Sequence, residues 1–280
     1  MLAAATTDLR GQLHSRFSRI LAGALIAVSR ASLVAVAVAG ALGASDLFQT
    51  PVLVPILLAF SVLPAAAAWL VERAANARAA VRDDALVLCR PDIRVEVART
   101  EIARVVPWTL PLPGPGVSFS LRSGRRLPHG FEAADPAPLL AALGETVGAG
   151  HPVVVWAHAR AASPPWRWHH LLWKFVGFAL APAAVLWNAH QHIAYGGTLG
   201  QYYLEGLGPY LRTFVLYWLS VSTFLVLWAS ACRALAEGIA LAAAVAAPSQ
   251  AARVRRAVEI ACRVLFYAGV PAVVAVRFLV

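Results

Sequence analysis

An uncharged apolar run at residues 52–71, VLVPILLAFSVLPAAAAWLV, limits what this chain can fold into more than any other feature. A helix of about 20 apolar residues crosses the roughly 30 Å of hydrocarbon in a bilayer. The composition agrees, since 60% of the 280 residues are hydrophobic, compared with about 45–50% in a typical soluble domain. The sequence therefore predicts an integral membrane protein.

We expect an α-helical membrane protein with about five spans. The predicted spans cover about residues 26–47, 52–71, 171–189, 210–232 and 257–277. A basic helix over residues 7–30 is expected to lie at the membrane surface before the first span. Charged residues and Pro271 interrupt the fifth span, so a four-span chain with a cytoplasmic or half-inserted tail stays open as an alternative.

The distribution of basic residues predicts how the chain crosses the membrane. Its formal net charge is +10, and arginines follow the second span and recur at 248–256, whereas residues 190–210 contain no Lys or Arg. Because Lys and Arg accumulate in cytoplasmic loops, we expect the N-terminus and residues 83–150 in the cytoplasm. Topology accounts for most of the arginines, so we expect no nucleic-acid partner.

Residues 83–150 differ from the rest of the chain and predict a small, β-rich domain between the second and third spans. The transmembrane hairpin of residues 1–72 precedes it, and a connector (151–170) and a second transmembrane region (171–280) follow. The pattern predicts strands at 85–90, 93–97 and 117–122, a helical turn at 100–105, a tight turn at Ser123-Gly124, a helix after Asp135, and a strand or edge-packing segment at 152–158.

These segments resemble the bacterial pleckstrin-homology-like domains that are attached to membrane spans. The resemblance is carried by DDALVLCR, IRVEV, TEIARV, GVSFSLRSGRRL and the closing helix after Asp135, about a fifth of the chain. Two spans before such a domain is a frequent arrangement in that family, which implies a multi-pass protein of the bacterial inner membrane. Phosphoinositide binding is not implied, because a shared fold does not imply a shared function.

Four basic residues cluster at the predicted hairpin: Arg122, Arg125, Arg126 and His129. They are candidates for contact with anionic lipid headgroups, where each basic residue near the surface contributes about 1 kcal/mol, or with an acidic protein partner. The alternative is a solvated hairpin whose arginines prevent another strand from pairing with it. The sequence alone leaves both interpretations open.

Four charged residues lie in or beside the last two predicted helices: Arg233, Glu237, Glu259 and Arg263. An antiparallel hairpin that turns near residues 248–250 places Glu237 opposite about Ala261, within reach of Glu259 or Arg263. Charges near hydrocarbon are rare and usually paired. We therefore expect ion pairs that hold the two helices together, with an ion or proton path as the alternative.

Histidines supply the weakest candidate site. His190 and His192 could offer two ligands to a metal, but Glu205 is the nearest acid, so we predict interfacial polar residues and no metal. His169 and His170 follow Trp166 and are expected to anchor the third span at the interface.

The sequence lacks the usual nucleophile, metalloprotease, nucleotide and dinucleotide motifs. We therefore predict a non-catalytic membrane protein without a cofactor, whose cytoplasmic domain contacts lipids, a protein partner or a second copy. A transporter or channel subunit that uses the charges of the last two helices is the alternative, and a membrane-embedded enzyme is a third.

Overall fold

The computed structural model describes residues 7–42, 50–82, 84–144, 146–163, 168–272 and 275. Within these residues it contains a seven-stranded antiparallel sheet and four helices that are long and apolar enough to cross a membrane. The four candidate spans are Arg16–Gly40, Val52–Ala74, His169–Tyr195 and Leu207–Ala246. The predicted combination of membrane helices and a β-rich domain is thus present.

The sheet has the strand order β4-β3-β2-β1-β7-β6-β5. Its strands are β1 (Thr7–Ser15), β2 (Asn76–Arg82), β3 (Ala85–Arg90), β4 (Ile93–Ala98), β5 (Ile102–Pro107), β6 (Gly116–Leu121) and β7 (His129–Glu132). The two edge strands, β4 and β5, are joined only by the short 3₁₀ turn Arg99–Glu101. Because three residues span that distance, the sheet curls so that its edges approach each other.

The helix predicted over residues 7–30 is wrong in its first half, because Thr7–Ser15 forms strand β1. This strand pairs with β2 on one side and with β7 on the other. A Cβ atom on Gly11 would lie 2.0 Å from the carbonyl oxygen of Glu132, so the two strands approach too closely there for any other residue. Pairing with distant strands therefore decides the structure of this segment.

The sheet is larger than the predicted domain of residues 83–150, since β1 and β2 lie outside that range. The first membrane helix, α1 (Arg16–Ala41), begins directly after β1, and Ser15 caps it by accepting a hydrogen bond from the Ser18 amide at 3.2 Å. Only Ala75 separates the end of the second membrane helix from β2. The transmembrane hairpin is thus an insertion between two neighbouring strands.

The second span consists of α2 (Thr50–Leu57), the π-helical turn Leu58–Val62 and α3 (Leu63–Ala74). Its extent agrees with the prediction, whereas the first span begins at Arg16 rather than near residue 26. The end of the first predicted span, residues 43–47, lies outside the described residues. The π turn is flanked by Pro55 and Pro64, which interrupt regular α-helical hydrogen bonding.

The domain after β2 follows the prediction in part. Strands β3, β4 and β6 lie where the alternating pattern placed them, and Gly124 has the positive φ (79°) that the predicted turn requires. The helical turn predicted at 100–105 is mostly strand β5. The strand alternative for 152–158 is wrong, because these residues belong to helix α6 (Pro152–Ala161), which His151 caps through the Val153 amide at 3.3 Å.

The core of the β-rich domain lies between the curled sheet and its closing helices, α4 (Ala137–Ala142) and α5 (Thr146–Ala149). Asp135 accepts a hydrogen bond from the Ala137 amide at 3.0 Å, as the prediction of a helix after Asp135 requires. The largest fully buried side chains of this core are Leu13, Leu86, Leu88, Phe119, Phe131, Leu139 and Leu140. Leu13 comes from β1, so the strand before the first membrane helix completes this core.

The second helical region begins with α7 (Trp168–Leu172), a π-helical turn at Trp173–Gly177 and α8 (Phe178–Tyr195). It continues with α9 (Gly200–Glu205), α10 (Leu207–Ala246), the 3₁₀ turn Pro248–Gln250 and α11 (Ala251–Tyr267). At 40 residues, α10 is about 60 Å long, twice the hydrocarbon thickness of a bilayer. About half of its length is therefore enough to cross that hydrocarbon.

The fifth predicted span does not appear among the candidate spans of the described residues. Helix α11 begins at Ala251, inside the segment predicted as a basic turn, and carries Arg255 and Glu259. Residues 273–274 and 276–277 of the predicted span lie outside the described residues. For the part of the chain that the structure describes, the four-span alternative fits better.

Candidate functional site

Arg255 is the centre of a charged cluster between α10 and α11. Its side chain is almost fully buried, with 3% of the residue exposed. The guanidinium makes two hydrogen bonds of 3.1 Å to the carboxylate of Glu237 on α10, and its Nε donates to Glu259, one turn further along α11, at 3.0 Å. Arg233 adds a further ion pair to Glu237 from the preceding turn of α10.

Helix α6 and Ser163, two residues beyond its end, complete this cluster from the side of the β-rich domain. The indole Nε1 of Trp156 donates to Glu237 Oε2 at 3.1 Å, and Ser163 donates to Glu259 at 3.3 Å. Arg160 lies over the Trp156 ring, 5.3 Å from its centroid. Burial lowers the pKa of Arg160, while the negative charge of Glu237 acts in the opposite direction. The carboxylates of Glu237 and Glu259 thus have partners on α6, α10 and α11 and at Ser163.

The expected pairing of α10 with α11 is present, but its partners differ from those predicted. Glu237 and Glu259 share Arg255, which the sequence analysis missed. Arg263 is exposed and makes no ion pair among the described residues. The spacing of Arg255 and Glu259, four residues apart on one helix, is the signal that could have identified the central residue.

The basic hairpin separates into an exposed tip and a partly buried base. Arg122, Arg125 and Arg126 are exposed around the Gly124 turn. His129 lies at the start of β7, where burial and the positive charge of Arg90 lower the pKa of its imidazole. The three exposed arginines are therefore the accessible basic groups of the hairpin, whereas the lowered pKa of His129 means that it contributes less positive charge than the sequence suggested.

The base of α1 is fixed to the sheet by Trp108, which follows β5. Trp108 is buried and donates from Nε1 to Ser118 Oγ at 3.0 Å. The guanidinium of Arg19, one turn into α1, lies over the indole at 3.8 Å from the ring centroid. Cβ atoms on Gly116 and Gly130 would each come within 2.9 Å of this indole, so both strands leave room for it. A cation–π contact thus ties the first membrane helix to the sheet.

Beside this contact, His14 and Glu132 form a buried pair between β1 and β7. The His14 ring is fully enclosed, and its Nε2 lies 3.1 Å from Glu132 Oε2. His14 Nδ1 faces Ser18 Oγ of α1 at 3.5 Å. The end of β1 is therefore held by polar contacts both to the sheet and to the first turn of the membrane helix.

The other histidine candidates lie apart from these groups. His190 contacts the rings of Tyr195 and Tyr217, while His192 Nε2 lies 3.1 Å from Thr198 Oγ1. His169 and His170 pack edge to face with their ring centroids 4.4 Å apart. Over the described ranges, no group of three or more His, Cys, Asp or Glu side chains could hold a metal ion.

Comparisons with protein-family models, with curated proteins and with solved structures gave no match to this chain. The chain is therefore described by its own architecture. It has four candidate membrane helices and a seven-stranded sheet, and two strands of the sheet, β1 and β2, adjoin the first two of these helices in sequence.

Proposed function

We propose that this is a non-catalytic protein of the bacterial inner membrane, whose cytoplasmic sheet domain presents a basic surface to anionic lipids or to a protein partner. The observation that carries the proposal is the direct continuity of β1 with α1 and of α3 with β2. Because no flexible linker intervenes, the sheet is held against the membrane surface. The resemblance to pleckstrin-homology-like domains is part of this proposal and is supported by the seven strands and the closing helix α4.

The exposed arginines of the hairpin suit this role. Arg122, Arg125 and Arg126 project from a tight turn, and their side chains are exposed. A rigid scaffold with charged groups on a short loop is a common arrangement for binding. The positive-inside rule places such a surface on the side that faces the anionic cytoplasmic leaflet.

The transporter alternative receives less support from the charged cluster. Glu237, Arg255 and Glu259 are bonded to each other and to Trp156 and Ser163. A path for ions needs polar groups that exchange their partners with a passing ion or with water. We therefore assign this cluster to holding α6, α10 and α11 together.

Site-specific photo-crosslinking in native membranes tests the proposed surface. A photoreactive residue at Arg125 is compared with one at Arg94, which is also exposed but lies on the edge strand β4. We expect an adduct of defined mass, either a lipid or one protein, at position 125 and not at position 94. Equal yields at the two positions, or no adduct at either, would contradict the proposal.

A further inference from the structure

A cavity of about 280 Å³ opens between the base of α1 and the sheet. It is lined by β1, the first turn of α1, Trp108 and the segment between β6 and β7. Four of its lining residues carry basic side chains: His14, Arg16, Arg19 and Arg126. The Glu132 carboxylate lies behind this wall, 3.1 Å from His14 Nε2, so the three arginines supply the net positive charge that would attract an anion. Pockets for drug-sized ligands measure about 300–1,000 Å³, so this cavity lies just below that range and has room for a phosphate group and the part of a headgroup attached to it.

The arginines that line the cavity come from two parts of the chain that are far apart in sequence. Arg16 and Arg126 are exposed, and Arg19 is half-buried with its guanidinium against Trp108. The Nε of Arg19 points toward the Leu112 carbonyl at 3.5 Å. This contact fixes the orientation of Arg19 and leaves its terminal nitrogens available to an oxyanion, for which a planar guanidinium is well suited.

Apolar side chains continue from the cavity along the outer face of α1. Ile20, which lines the cavity, is 70% exposed, and Phe17 is 76% exposed. Both belong to a helix long and apolar enough to cross a membrane. A ligand with an anionic head and hydrocarbon chains matches the basic cavity and the apolar face beside it. Its head would contact the arginines, and its chains would lie against Phe17 and Ile20.

The depth of the cavity agrees with the level of lipid headgroups. The residue after the end of α3, Ala75, accepts a hydrogen bond at 2.7 Å from the amide of Leu13, which precedes the lining residue His14. Near the same end of α3, Arg73 lies over the ring of Trp69, which is 53% exposed. Tryptophans with adjacent basic residues mark the interface between hydrocarbon and water. The first turn of α1 and the last turns of α3 therefore place the cavity at that interface.

We infer that this cavity binds the phosphate group of an anionic phospholipid, held by Arg16, Arg19 and Arg126. The inference rests on the proposed function and deepens it, since it assigns a lipid class and a site to the basic surface. Arg126 belongs both to the hairpin and to the lining of the cavity. A lipid phosphate bound in the cavity would therefore also contact the hairpin.

Lipid retention by the full chain tests this inference. The protein is reconstituted in nanodiscs with equal amounts of phosphatidylglycerol and phosphatidylcholine, and retained lipids are counted by native mass spectrometry. We expect preferential retention of phosphatidylglycerol, and we expect Arg126→Gln to lower its ratio to phosphatidylcholine roughly fivefold. Arg10→Gln is the matched control, because Arg10 is an exposed arginine of β1 outside the cavity. Equal retention of the two lipids, or an equal loss in both variants, would overturn the inference.

Three further measurements keep the outcome unambiguous. Arg19→Gln should reduce the ratio as Arg126→Gln does, and thermal unfolding of both variants shows whether the fold is retained. In a separate experiment, soluble glycerol phosphate is added to nanodiscs that contain phosphatidylcholine alone. If Arg126→Gln weakens the binding of glycerol phosphate but does not change the retention of phosphatidylglycerol, the ligand is a soluble phosphate ester and the lipid is rejected. If crosslinking at Arg125 succeeds while lipid selectivity is absent, only this inference fails and the proposed function stands.

Discussion

At the scale of single residues, Arg255 determines how α10 and α11 meet near the turn Pro248–Gln250. Its guanidinium is buried and satisfies two carboxylates, one from each of two helices. A buried ion pair contributes little net stability compared with apolar packing, but loss of one partner leaves an uncompensated charge. The main effect of removing Arg255 is therefore expected to be the two carboxylates, Glu237 and Glu259, that it would leave without their shared cation.

We predict that Arg255→Ala lowers the free energy of unfolding by about 3–5 kcal/mol, since Glu237 and Glu259 lose their shared cation. Arg263→Ala is the control, because Arg263 is exposed on the same helix, and it should change stability by less than about 0.5 kcal/mol. Urea unfolding in detergent micelles measures both. Equal losses in the two variants would show that Arg255 has no special role.

The sequence predicted some residues of this cluster because intramembrane charges are rare and need partners. Glu237 and Glu259 were identified in that way, and pairing between α10 and α11 is present. Arg255 was missed because it lies in a run of three arginines that positive-inside topology explains equally well. The donation from Trp156 could not be predicted at all, since it depends on α6 packing against α10.

At the scale of elements, the two π-helical turns serve as contact points between membrane helices. In the first turn, the carbonyls of Phe60 and Ser61 accept hydrogen bonds from Ser32 at 2.9 Å and from Ser29 at 2.8 Å, both on α1. In the second turn, the Val176 carbonyl accepts from Trp218 of α10 at 3.0 Å. A π turn disturbs regular helical hydrogen bonding, and side chains of a neighbouring helix bond to its carbonyls.

We predict that replacing Ser29 and Ser32 together by alanine destabilises the transmembrane hairpin by roughly 1–2 kcal/mol, because hydrogen bonds between membrane helices contribute about 0.6 kcal/mol each on average. Ser220→Ala is the matched control, because the Ser220 hydroxyl bonds only to the Leu216 carbonyl of its own helix. Thermal unfolding in detergent compares the variants. An equally large effect of Ser220→Ala would contradict a role for the π turn.

Elements differed in how well the sequence predicted them, and the range of their contacts explains the difference. Apolar spans need only length and composition, and β3, β4 and β6 have local alternation, so four of the spans and these three strands were predicted. The first span begins about ten residues earlier than predicted, and the fifth is not among the candidate spans of the described residues. Strand β1 was missed because its partners lie more than 60 residues away, in β2 and β7. Residues 152–158 were predicted as a strand or an edge-packing segment rather than a helix, because a short apolar run fits either a strand or a helix.

At the scale of the whole molecule, α6 and β1 join the sheet to the helices. Val154 of α6 belongs to the core of the β-rich domain, whereas Trp156 and Ala157 pack against α10 and α11. Strand β1 lies in the middle of the sheet and continues into α1. A fragment of residues 83–150 would lack β1 and β2, so binding experiments require the full chain.

The central claim is that the segment before the first membrane helix is a strand of the sheet, paired with the strand that follows the second membrane span. Asp8 and Ala80 are directly opposite in this pairing, and opposed residues of antiparallel strands have Cα atoms about 4.5–5.5 Å apart, within the range of a disulfide.

Disulfide formation between Asp8→Cys and Ala80→Cys tests the claim most directly, in a chain whose three native cysteines are replaced by serine. The control combines Asp8→Cys with Glu96→Cys, since β4 lies three strands away from β1. Mild oxidation in membranes, followed by proteolysis and mass spectrometry, should yield the 8–80 linkage and not the 8–96 linkage. Absence of the 8–80 disulfide, or equal yields of the two, would contradict this account of the fold.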